Sequence, residues 1–131
     1  MPSETRACGI VVAPDGASMT VYLPVATSTE LHAALETSKI VAVVVTRPST
    51  HESIQFKGML RSIRVAEASE QATVQAYHDR LVVELESIGL PRRISRRMST
   101  WPAYAVECTV DAVFDQTPGS RAGQRLNEVG S

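Results

Sequence analysis

From Tyr104 to Phe114 the chain keeps a period of two. Tyr104, Val106, Cys108, Val110, Ala112 and Phe114 fall on one side, and Glu107, Thr109 and Asp111 on the other. No helix accommodates that spacing, so this stretch is a strand with one face on a core, and a strand needs partners to satisfy its backbone. The rest of the chain has to supply a sheet.

It offers several candidates. "GIVVAPDGASMTVYLPV" reads as a hairpin: apolar Ile10 to Val12, turn formers Pro14, Asp15 and Gly16, then Met19, Val21, Leu23 and Val25 on alternate positions. Ile40 to Val45 is β-branched and lacks alternation, which predicts a central strand buried on both faces. "SIQFKGMLRSIRVAEA" predicts a long strand in which Gly58 marks a bulge, a bend or a close backbone approach.

Two segments have helical spacing. "TSTELHAALETS" opens with capping hydroxyls and predicts a short helix ending near Ser38. From Ser69 as N-cap, Val74, Tyr77, Leu81, Leu85 and Ile88 predict a longer helix that Gly89 and Pro91 terminate. The order is two strands, helix, two strands, helix, strand. It favours a mainly β fold, a small antiparallel barrel with appended helices, built as one domain over residues 1–131.

Composition narrows the function. A net charge of −1 with 21% charged residues argues against a bulk nucleic-acid binder. The longest apolar run is six residues, far short of the roughly 20 that span a bilayer, and the start has no signal-peptide core; the expectation is a cytoplasmic protein without a membrane segment. Cys8 and Cys108 lack metal-ligand spacing and read as buried thiols, and His32, His51 and His78 are isolated. No metal site is expected. No nucleophile or phosphate-loop motif occurs, so any reaction belongs to a bound cofactor.

Two polar stretches remain. Arg92, Arg93, Arg96 and Arg97 follow the long helix, where cations complement its dipole or meet an anionic partner. "TRPSTHESIQFKG" sets Thr46, Arg47, Ser49, Thr50, Ser53, Gln55 and Lys57 between two strands, as a plain connection or as groups converging on a phosphate or heterocycle edge.

The run from Met19 to Leu81 and the ending "WPAYAVECTVDAVFDQTPGSRAGQRL" resemble the pyridoxamine 5'-phosphate oxidase-like, FMN-binding split-barrel family, specifically its oxidase branch, over nearly the whole chain. The resemblance implies a six-stranded-type antiparallel split barrel that forms a homodimer with FMN between the subunits. It implies an FMN-dependent oxidoreductase or flavin-binding protein, with substrate and electron donor undefined. Arg6, Thr46, Arg47, Ser53, Gln55, Lys57, Gln116 and Arg125 are the cofactor-binding residues so implied; no catalytic residue is assigned. Arg6, Arg47, Lys57 and Arg125 supply positive charge for the phosphate and the reduced ring. Ser53, Gln55 and Gln116 supply ring-edge hydrogen bonds, while Pro118, Gly119 and Gly123 set the turns that fold the tail back.

The sequence departs from the family in three places. Glu30 and Leu31 stand where the family has the Arg-Lys that holds phosphate, Asp115 replaces a tryptophan, and the family's N-terminal helix and first strand are missing. These departures imply either a start other than Met1 or a shortened member with an unpaired barrel edge. They also support a different reading, a non-flavin binding or interaction module on the same barrel, taking haem, a deazaflavin or a protein partner.

Overall fold

The computed structural model describes residues 7–117 and 123–125, and β-strands dominate it. The elements are β1 (Gly9–Val12), β2 (Ser18–Pro24), α1 (Thr29–Ser38), β3 (Ile40–Arg47), β4 (Glu52–Val65), α2 (Gln71–Ser87), a short α3 (Arg92–Ser95), β5 (Ala103–Thr109), β6 (Ala112–Asp115) and β7 (Gln124–Arg125). All pairings are antiparallel. The order is β1-β2-β5-β4-β6-β7, with β3 on β4, and the sheet curls into a half-barrel.

The long alternating segment is not one strand but two. Against β4 the pairs from Val65–Tyr104 to Ser62–Glu107 and from Lys57–Ala112 to Ile54–Asp115 follow one register; between them the register shifts at Leu60–Ser62 and the strand is interrupted at Val110 and Asp111. The interruption lies beside Gly58, where a Cβ would fall inside the Thr109 carbonyl group. Instead the Met59 N–H donates to Thr109 Oγ1 (2.9 Å), Asp111 N–H to the Lys57 carbonyl (2.8 Å) and Val110 N–H to the Ala17 carbonyl (2.9 Å). Here β4 leaves the β1-β2-β5 layer and continues with β3 and β6, which is how a bent strand turns a sheet corner. Of the three meanings open for Gly58, the bend and the close backbone approach are realised together, and the register shift falls just beyond it, between Leu60 and Ser62.

Two apolar clusters flank β2 and β5. Met19, Val21, Leu23, Val106 and Cys108 face the concave side with Val41 and Leu35, while Tyr22, Ala103 and Ala105 face the other side with Cys8, Ala66 and Val74. Period-two alternation thus buries both sets, the second under α2. Burial raises both thiols to about 11, as expected of unreactive core cysteines.

The structure corrects three expectations. First, β3 is an edge strand: among the described residues it pairs with β4 alone, and its outer face shows Ile40 (64% exposed) and Val44 (55%). An apolar run without alternation says that both faces are apolar, not that both are covered. Second, Ser69 does not cap the long helix. Glu67 and Glu70 form a capping box around a 3-10 turn, Ala68–Glu70, that precedes α2. Third, Ser28 stands at the start of α1 without a side-chain capping bond, its Oγ buried and unpartnered among the described residues.

Candidate functional site

The β3–β4 register puts Thr46 opposite Ser53, Val44 opposite Gln55 and Ala42 opposite Lys57, and the β4–β6 register adds Phe114 opposite Gln55. Paired residues share a face, so these side chains stand together on the outer face of the β3-β4-β6 layer. Thr46 and Ser53 hydroxyls lie 2.8 Å apart, Gln116 Nε2 donates to Gln55 Oε1 at 3.3 Å, and the Lys57 ammonium sits 5.3 Å from the Phe114 ring centre. Gln116 N–H donates to the Ser53 carbonyl (2.8 Å), which extends the ladder past β6 and holds the amide in place. One face therefore carries two carboxamides, an ammonium, two hydroxyls and an aromatic ring. Beside them lies an apolar strip of Ile40, Ala42, Val44 and Met59, the last 45% exposed.

Of the eight residues singled out in the sequence, five meet there: Thr46, Ser53, Gln55, Lys57 and Gln116. Arg47 does not. One step beyond Thr46, it turns to the opposite face, where its Nε donates to Glu84 Oε1 of α2 (3.2 Å) and the Ser49 N–H donates to the other oxygen. Those two contacts hold the Glu84 carboxyl below its ordinary range. Arg6 lies outside the described residues. Of Arg125 the backbone is described, opposite Phe114 in the β6–β7 register, which brings the tail back to this layer through Gly123 at φ +85°. Pro118 and Gly119 lie outside the described residues.

Sequence reading missed one polar cluster. On the other side of the molecule Glu70 accepts from Arg64 Nη1 (2.7 Å) and Nη2 (2.9 Å), from the Tyr22 hydroxyl (2.8 Å) and from the Glu67 N–H (2.7 Å). The Arg64 hydrogen bonds are the main cause that lowers the Glu70 carboxyl to about 2; burial first, then the bond to Glu70, raises Tyr22 to about 12. Only the Glu67–Glu70 contact follows a local spacing; Tyr22 of β2 and Arg64 of β4 meet Glu70 through the fold. The group ties the start of α2 to the sheet.

Among the described residues no three His, Cys, Asp or Glu side chains gather as a metal site, and no helix is long and apolar enough to cross a membrane. Of the remaining arginines after α2, Arg92 donates to Glu86 (2.8 Å) and Arg93, Arg96 and Arg97 are exposed. The fold and the site together define a mainly antiparallel β half-barrel with helices on it and an amide-rich patch on an uncovered sheet face. Comparison of the chain with protein-family models, with curated proteins and with solved structures found no match.

Proposed function

We propose that this chain is a flavin-binding protein of the split-barrel type, an FMN-dependent oxidoreductase that works as a homodimer with the ring lodged against the outer face of β3, β4 and β6. The observation that carries the reading is the convergence of Gln55, Gln116 and Lys57 beside exposed Ile40 and Val44. The residues fit the group at its ring end. A carboxamide presents both a donor and an acceptor, as a pyrimidine-like edge requires, and an ammonium favours the anionic reduced ring. The apolar strip suits the remaining ring face and a second subunit.

The phosphate end has weaker support. The first turn of α1 carries Glu30, whose carboxylate repels an anion, and Arg47 is engaged by Glu84. Bound flavin would supply hydride or electron transfer, while the chain's own residues bind and orient the ring edge and exclude water. Titration with FMN, read by flavin fluorescence quenching, tests this. The expected result is saturable micromolar binding that Gln55→Leu and Lys57→Glu each weaken about tenfold or more, the loss of about one charge-assisted or buried hydrogen bond. Folded protein that leaves FMN fluorescence unchanged refutes the reading.

A further inference from the structure

On the concave side lies a cavity of about 1050 Å3, bounded by β3, by Leu31 and Leu35 of α1, and by Tyr77, Leu81 and Leu85 of α2. Its lining along β3 is unusual, because every residue from Ile40 to Thr46 contributes. A strand face offers alternate residues; only a strand edge offers all of them. The cavity therefore runs along the free edge of β3, and it reaches Ala7 and Ile10 beside β1, whose only described partner is β2. It is the gap between the β3 and β1 edges of the half-barrel.

The edge also has unmet backbone groups. Lys39 accepts from the Leu60 N–H, and from that point alternation aims the N–H and C=O of Ile40, Ala42, Val44 and Thr46 away from β4; the Ile40 N–H meets Ser38 Oγ (3.3 Å), and those of Ala42, Val44 and Thr46 have no strand beside them among the described residues. Hydrocarbon in the cavity would leave those groups unsatisfied; a strand satisfies them. Size agrees. A strand in a packed sheet takes about 160 Å3 per residue, from roughly 3.3 Å of rise, 4.8 Å of spacing and 10 Å of layer thickness, so the gap holds about six or seven residues. Charge agrees at one end: Lys39 is exposed at the start of β3 and no carboxylate lies between it and Arg47, which Glu84 already engages.

We propose that this gap is a peptide-binding slot that takes one extended segment of a partner protein, about seven residues long, with apolar side chains at alternate positions and an acidic residue at the end that meets Lys39. A second copy of this chain fits poorly, because its β3 brings β4 alongside, two strands where the cavity volume matches one.

The proposal differs from the flavin reading in using the backbone edge of β3 and the concave side; Ile40, Ala42, Val44 and Thr46 border both sites, whereas Lys57, Gln55 and Gln116 belong to the flavin reading alone. It is tested with a synthetic peptide of about seven residues, valine at alternate positions and glutamate at the end that meets Lys39. The measurements are calorimetry and amide hydrogen exchange on the full chain. Saturable one-to-one binding is expected, with slowed exchange at Ala42, Val44 and Thr46. Methylating alternate peptide nitrogens should cost about tenfold or more, the expected loss for a few backbone hydrogen bonds. Leu81→Trp and Ala34→Trp, checked for native circular dichroism, should abolish binding by filling the slot, while Lys57→Glu leaves it intact. The proposal is overturned by absent peptide binding, by equal binding of the methylated peptide, by binding of palmitate but not peptide, or by a dimer in which those three amides are already protected.

Discussion

Glu70 shows how much one side chain can organise. Its carboxylate is 17% exposed and takes four hydrogen bonds, and its folded value of about 2 lies below the ordinary 4.5. A depressed carboxyl stabilises the fold above its unfolded value and loses that contribution as pH falls through the folded one. With Arg64 open to solvent, screening leaves about 1–2 kcal/mol, present above pH 4.5 and gone near pH 2. Glu70→Gln should therefore lower the urea midpoint at pH 7 and match the native protein near pH 2. An unchanged gap between the two across that window would show that the arginine contact contributes nothing to folding.

At the scale of elements, the corner of the half-barrel depends on β4 passing the β5–β6 junction without a side chain at position 58. Gly58→Ala forces a methyl group into the Thr109 carbonyl, which is backbone and cannot swing aside; about 3 kcal/mol of stability should be lost. Met59→Ala, next in sequence but facing outward, should cost under about 1 kcal/mol in the same urea titration. If the two variants unfold alike, the close approach at position 58 is not what holds the corner. The glycine inside an otherwise regular strand was visible in the sequence, as were the hairpin, the range of α1 and the strand character of 104–114. The break at Val110 and Asp111 was not, because alternation records which face a residue takes and is indifferent to a bend after which the same register resumes. For the same reason Thr46, Ser53, Gln55 and Lys57 could be grouped from spacing. Arg47 could not be excluded until the register showed it one residue out of phase, and Gln116 joins them only through a pairing 61 residues away.

For the whole molecule, the question is what covers the outer face of β3. Ile40, Val44 and Met59 together expose an apolar strip on a chain whose net charge of −1 gives little repulsion between copies. Two such strips meeting about a two-fold axis would bury each other and bring the Gln55 and Lys57 groups of both subunits to the rim of one interface. The double variant Ile40→Lys/Val44→Lys places four like charges in that interface while leaving the buried core cluster intact, because both side chains are exposed and neither belongs to it. Light scattering should give the native protein at twice its 14.2 kDa chain mass and the variant at the single-chain value. Circular dichroism of the two should coincide, and FMN quenching should disappear with the dimer. A variant that becomes monomeric yet keeps its flavin would place the ring on one subunit alone. A native protein that is itself monomeric would mean that the strip is covered by something other than a second copy, and the shared-cleft reading would fall with it.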